Sequence, residues 1–187
     1  MTTATAPALT ELTGTYTLDP AHSRIGFVAR HAMVTKVRGA FNEFEGTVVI
    51  DGTDLSRSSA TLTIEAASID TRNAQRDGHL RSNDFLAMDE YPQITFVSTG
   101  ARQVDESTFE LTGDLTIKGV TNPITIPFSF EGAAKDPFGN LRVGFEGAVT
   151  INRKDYGITW NAALETGGVL VSDKVTLEFE ISAVKNA

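Results

Sequence analysis

Phe109-Glu-Leu-Thr-Gly-Asp-Leu-Thr-Ile117 puts Phe109, Leu111, Gly113, Leu115 and Ile117 on one face of an extended chain, and Glu110, Thr112, Asp114 and Thr116 on the other. Successive strand side chains point to opposite faces, so this period of two reads as a strand with one apolar and one wet face. The same alternation runs through Ile124/Ile126/Phe128/Phe130, Val143/Phe145/Gly147/Val149/Ile151 and Val175/Leu177/Phe179/Ile181. Upstream it appears in Ile25/Phe27/Ala29, Phe44/Gly46/Val48/Ile50, Leu62/Ile64/Ala66 and Ile94/Phe96. These segments make about eight or nine antiparallel strands, punctuated by turns at Asp51-Gly52, Lys118-Gly119, Gly139-Asn140 and Gly167-Gly168. A sheet of that size curls shut to remove its sticky edges, although a two-sheet sandwich would give the same pattern. Glycines at apolar positions (Gly46, Gly113, Gly147) suit bulges, or room for something bound inside. Pro123 and Pro127 suggest an edge or distorted strand, and Ile158–Val169, without a clean period, an irregular crossing segment.

One segment interrupts the alternation. Between Ile69 and Phe96 the chain reads IDTRNAQRDGHLRSNDFLAMDEYPQITF, and only residues 70–88 look helical. Asp70 or Thr71 is placed to N-cap a helix, Asn83-Asp84 offers a second cap, and Pro92 hands over to a strand. With Leu80, Phe85 and Leu86 embedded in charge, this insert reads as a lid or plug over a barrel end. The expected fold is therefore all-β: a single antiparallel barrel of about eight strands with a short helical insert near one end. Met1 to about Leu12 reads as a flexible tail and residues 13–187 as one domain.

Composition narrows the function classes. The chain has 187 residues, enough for one domain with a sizeable core and hardly enough for two. A net charge of −8 without a basic run argues against a nucleic-acid partner. The absence of cysteine removes disulfides, thiolate nucleophiles and Cys-based metal sites. No run approaches the roughly 18 apolar residues of a membrane-spanning helix. The N-terminal MTTATAPALTELTG has no Lys, Arg or apolar core of useful length, so it is not read as a secretory signal, and a cytoplasmic location is expected.

Several motifs then occur in a fixed order: Tyr16-Thr-Leu-Asp-Pro-Ala-His-Ser23, Gly39-Ala-Phe41, Arg76-Asp-Gly-His-Leu80, Asp84-Phe85 and Tyr91-Pro92. Thr95-Phe96, Gly113-Asp-Leu-Thr-Ile-Lys-Gly119, Gly144-Phe145 and Arg153-Lys-Asp-Tyr-Gly157 continue the series. Together they resemble the YceI-like, polyisoprenoid-binding family from about Gly14 to Val184. The resemblance implies a lipocalin-like barrel with a long internal cavity. It further implies binding of a long apolar ligand, of isoprenoid, polyprenyl, quinone or fatty-amide type, for storage, sequestration or transport without catalysis. It also leaves room for a homodimer, with Gly113–Gly119 as an exposed strand to mediate it. No metal and no cofactor beyond a bound polyisoprenoid-type lipid is expected.

By parity, the apolar wall of such a cavity falls to Ile25, Phe27, Phe44, Phe96, Leu115, Ile117, Phe128, Phe145 and Ile151, with Trp160 at a rim. Eleven Phe against one Trp and three Tyr make the aromatic surface almost wholly apolar. Burial in such a slot is worth roughly 0.8 kcal/mol per CH₂ group. For each wall residue the competing reading is plain core. Four residues are the polar candidates. His31 shares the parity of Ile25 and Phe27 and so should face inward. Arg76, Asp77 and His79 would either meet a ligand head group through the guanidinium fork or brace the insert as a hydrogen-bonded network. His22, His31 and His79 lie in separate segments without metal-ligand spacing. His22 and Ser23 imitate part of a hydrolase triad, but neighbours on a strand face opposite ways, and no GxSxG turn is present. The alternatives are a solid barrel acting as a stress-response interaction protein and a histidine-dependent metalloenzyme or hydrolase.

Overall fold

The period-two segments form strands β1 (Gly14–Leu18), β2 (Arg24–His31), β3 (Thr35–Phe41), β4 (Phe44–Ile50), β5 (Ser59–Glu65) and β6 (Ile69–Asp70), in a computed structural model describing residues 9–165 and 168–186. β7 (Gln93–Gln103), β8 (Thr108–Ile117), β9 (Val120–Lys135), β10 (Leu141–Asn152) and β11 (Lys174–Lys185) follow the helix α1 (Ala74–Arg81). The hydrogen-bonded order β1-β4-β5-β7-β8-β9-β10-β11 returns to β1, which closes an eight-stranded antiparallel barrel. The three remaining strands extend its staves. β11 pairs with β2 through Thr176–Glu180 and with β1 through Ala183–Lys185, so β1 and β2 are one long strand interrupted at Asp19–Ser23. β3 and β4 are likewise interrupted at Asn42 and Glu43, and β5 and β6 at the 3-10 turn Ala66–Ser68.

Connections in this up-and-down order alternate between two ends. One end carries the β2–β3 hairpin, the segment 66–92, the β8–β9 turn and the long 153–173 connection. The other carries Leu9–Leu12, the β4–β5 loop and the β7–β8 and β9–β10 hairpins. Register shifts fall at Ser98/Gly100 and Gly144/Phe145, leaving Thr99 and Glu131 as the extra residues. Gly113 and Gly147 are not bulges. A Cβ on Gly113 would lie 2.5 Å from the Phe96 ring, and one on Gly147 2.7 Å from the Phe128 ring, so both glycines make room for a neighbouring aromatic.

Four expectations need correction. Leu9–Leu12 is not tail: it forms a 3-10 turn whose Leu12 is 1% exposed, and the Tyr16 hydroxyl donates to the Leu12 carbonyl at 2.7 Å. The rest of the expected tail, residues 1–8, lies outside the described residues, as does Gly167 of the expected Gly167-Gly168 turn. The helix spans Ala74–Arg81 rather than 70–88. Asp70 is held in β6 opposite Ala40, so Asn73 caps instead, accepting from the Arg76 N–H at 2.9 Å. β9 is an interior strand rather than an edge, but it meets β10 only from Phe128 onward. Pro123 and Pro127 fall in the half that pairs with β8 alone, where a missing N–H is tolerated. Finally, β8 is paired on both sides, so Gly113–Ile117 offers no free edge to a second copy. Among the described residues no helix is long and apolar enough to cross a membrane.

Candidate ligand cavity

The inward faces of the eight staves do not meet at the centre. They enclose a cavity of about 290 Å³ with an almost wholly apolar lining. Of the expected wall residues, Ile25, Phe27, Phe96, Leu115, Ile117, Phe128, Phe145 and Ile151 line it. Phe44 is buried but packs away from the space, and Trp160 is not among the lining residues. Leu80, Phe85 and Leu86 bring the insert into the lining at one end, and Leu9, Leu12 and Leu55 contribute from the other. Near that second end the Arg102 guanidinium pairs with Glu110 at 3.0 Å, beside Ser58 and Ser59.

The expected polar candidates sit elsewhere. Asp77 is buried and accepts from the Thr71 backbone N–H at 2.8 Å and from its hydroxyl at 2.5 Å. Arg76 donates through Nε to the Thr71 hydroxyl and through Nη2 to the Thr71 carbonyl, both at 2.7 Å. Thr71 is thus the hub of a knot that braces α1 against the end of β6, outside the cavity lining. His79 pairs with Asp84 at 2.8 Å, and its ring meets Phe85 and Trp160 edge-on at centroid distances of 5.0 and 4.7 Å. His79 and Trp160 therefore clamp Phe85, which does line the cavity. His31 is exposed rather than inward-facing, because β2 outruns the barrel wall and bridges Val171 at the rim. His22 is a turn residue bonded to Asp19 at 2.8 Å, while Ser23 exchanges hydrogen bonds with the Ser182 backbone.

Two lining residues went unread in the sequence. Arg153 is 4% exposed, and its guanidinium donates to the carbonyls of Ser172 (2.8 Å), Ile158 (2.8 Å), Trp160 (2.9 Å) and Val171 (3.3 Å). It gathers the irregular 158–172 connection against the barrel, so that Ile158 and Val171 become cavity wall. Burial lowers its pKa, opposed by Asp173 at 3.8 Å. Tyr156, beside it on the 3-10 turn Arg153–Tyr156, is 1% exposed. Its hydroxyl has no hydrogen-bond partner among the described residues: the Asn122 amide lies beside it, but Nδ2 donates to the Asp155 carbonyl at 2.8 Å. Burial pushes the phenol's pKa up, so it is neutral and able to donate. A signal existed in the Arg153-Lys-Asp-Tyr-Gly157 motif, where a basic and an aromatic residue stand next to an otherwise patternless stretch.

Comparison with known proteins follows the same outline. The YceI-like domain matches residues 16–183. A UPF0312 protein of Staphylococcus aureus is 46% identical over 169 residues, covering 90% of this chain and 95% of its own. Among solved structures, BcnA of Burkholderia cenocepacia superposes with a TM-score of 0.78 at 27% identity, covering 88% of this chain and 98% of that one. A Campylobacter jejuni YCEI protein gives 0.73 at 28% identity, with coverages of 84% and 90%. A polyisoprenoid binding domain from Saccharophagus degradans, implicated in plant cell wall breakdown, gives 0.70 at 16% identity over 91% and 98% of the two chains, a likeness of fold.

Proposed function

The chain belongs to the YceI-like family, and on that premise we propose that its barrel holds one long apolar molecule of the isoprenoid class, for storage, sequestration or transport without chemical change. The observation that carries the reading is the hollow interior of about 290 Å³, walled by strand residues and closed at one end by Leu80, Phe85 and Leu86. The structural neighbour named for polyisoprenoid binding sets the ligand class to test first. A dozen buried CH₂ groups would contribute roughly 10 kcal/mol at about 0.8 kcal/mol each, before ordering costs are subtracted.

The polar end of that molecule is neutral: a carbonyl, amide or hydroxyl rather than a phosphate. Arg153 spends its donors on four backbone carbonyls, and Arg102 is held by Glu110. His22 and Ser23, the part of a hydrolase triad legible in the sequence, are bonded elsewhere and neither lines the cavity.

The test is mass spectrometry of an organic extract from the purified, untagged protein, with a prenyl-chain quinone added to stripped protein as the second arm. A single long-chain species near one per barrel, lost in Phe145→Glu but kept in a surface variant, supports the proposal. An empty extract together with no saturable quinone uptake refutes it.

A further inference from the structure

The β2–β3 hairpin is built as an apolar prow. Met33 and Val34 are 61% and 77% exposed at its tip, and Val169 stands exposed on the neighbouring 153–173 connection. The two loops are joined: the Ala32 N–H donates to the Leu170 carbonyl at 2.7 Å, and the Met33 sulfur lies over Gly168, where a Cβ would come within 2.2 Å of it. Ala32 and Met33 adopt positive φ values of 51° and 64°, a region that residues with a Cβ enter reluctantly. Backbone strain is thus accepted in order to hold apolar side chains in solvent.

The outer sheet face behind this tip is basic in a chain whose net charge is −8. Arg30 and Lys36 stand directly opposite each other across β2 and β3, Arg38 follows along β3, and Lys174 lies on the adjoining β11, all four lining one external groove. Like charges placed opposite on a sheet destabilise it. None of the four forms an ion pair among the described residues. The acids in the groove are engaged by other cations, Asp173 by Lys154 at 3.4 Å and Glu178 by Arg24 at 3.7 Å. Glu165 is exposed on the neighbouring loop, and Asp84, Glu90 and Asp155 are exposed on the other connections of this end.

We propose that this end of the barrel docks on an anionic lipid bilayer, with Met33, Val34 and Val169 entering the interface and Arg30, Lys36, Arg38 and Lys174 meeting lipid phosphates. The spacing fits. Lys36 is two residues from Val34, about 7 Å at the usual strand rise, which sets it at headgroup level when the tip is buried by about 5–10 Å. Ala29 and Val171 line the cavity within a few residues of the tip, so docking brings that end of the cavity to the membrane. The inference stands on the outer surface and does not require the isoprenoid reading.

The test is vesicle co-sedimentation of the full chain on phosphatidylcholine alone and on phosphatidylcholine with one-third phosphatidylglycerol. Binding to the anionic vesicles only, weakened by salt, is expected despite the protein's overall negative charge. Each cation near the surface contributes about a fivefold factor, so K36Q/R38Q/K174Q should weaken partitioning on the order of a hundredfold. M33S/V34S should also weaken it while leaving cavity uptake of the quinone unchanged. Equal binding to neutral vesicles, an unaffected charge triple, or inorganic phosphate competing at millimolar levels with full effect overturns the proposal. So does an absence of binding by wild type with an unchanged circular-dichroism spectrum.

Discussion

Replacing Arg153 with Met tests how the cavity wall is held. Met keeps much of the apolar stem and removes every donor. Four carbonyls lose a hydrogen bond, but Val171 keeps the Asn161 amide at 2.8 Å, so those of Ile158, Trp160 and Ser172 are left to bear the loss. A buried polar group stripped of its partner costs about 1–3 kcal/mol, which puts the three near 5 kcal/mol. Against this, a guanidinium that is 4% exposed no longer has to be desolvated, which returns roughly 2 kcal/mol. The net loss is about 3 kcal/mol, a large share of the roughly 5–15 kcal/mol typical of a domain. With a urea m-value near 2 kcal/mol/M, the unfolding midpoint should fall by about 1.5 M. R153K, which keeps the charge but not the planar fork, should fall by less. The variant should also release ligand faster, because Ile158 and Val171 are wall residues gathered by Arg153. A midpoint shift below about 0.5 M in R153M would mean that the 158–172 connection holds itself, and the reasoning would be wrong.

Asp77→Ala should destabilise by about 3 kcal/mol in the same titration, since it orphans the buried Thr71 N–H and hydroxyl. Arg76→Ala should cost about 1–2 kcal/mol through its two bonds to Thr71 and leave ligand content unchanged in the extract, whereas reduced ligand at full stability would restore a head-group role. Gly113→Ala should lose about 2 kcal/mol, because the new Cβ meets the Val97 carbonyl at 2.6 Å as well as the Phe96 ring, and backbone cannot give way; a neutral result in thermal denaturation would contradict this. Asp19 carries the pH dependence. Arg142 at 2.7 Å, followed by His22, lowers its pKa from 3.8 to about 2. Its stabilisation is therefore complete above pH 3.8 and lost as the pH falls toward 2, so the stability difference between wild type and Asp19→Asn should shrink across that window.

Strands were legible because burial on one face forces a period of two, and the interior positions of β8 and β10 follow parity through Leu115, Ile117, Phe145 and Ile151. Parity failed at His31 because it presumes a wall on the inner side, and β2 continues past the rim. The helix was overread because Asp70 and Thr71 are both cap-forming residues, while the cap that acts is Asn73, left out of that reading. Which one acts depends on a long-range pairing, Ala40 with Asp70, that no local pattern reports. After Arg81 the Ser82 hydroxyl bonds back to the His79 carbonyl at 2.6 Å, so local side-chain bonding ends the helix well before Met88. Arg76 and Asp77 brace the insert, one of the two roles open to them, but through Thr71, which reads in the sequence only as a helix cap. Arg153 was hidden for a related reason: its four acceptors are backbone carbonyls, which carry no sequence signature.

The contrast within the core argues that the hollow is kept on purpose. Leu12, Tyr16, Val143 and Ala183 are each at most 1% exposed, so the chain packs tightly where packing is needed. Leu111, Phe130, Phe145, Val175, Leu177 and Ile181 carry equally apolar side chains on inward faces, yet remain only half-buried around the cavity. An apolar void of about 290 Å³, at roughly 24 cal/mol per Å³, represents on the order of 7 kcal/mol of packing forgone. That is comparable to the whole net stability of a typical domain, and a few larger side chains on Ala29, Ala60 or Ala101 would recover part of it. Small residues facing an apolar hollow cost stability as long as nothing fills it. On the proposed reading, a chain-like ligand entering the hollow would supply the missing contacts and so become part of the folded core.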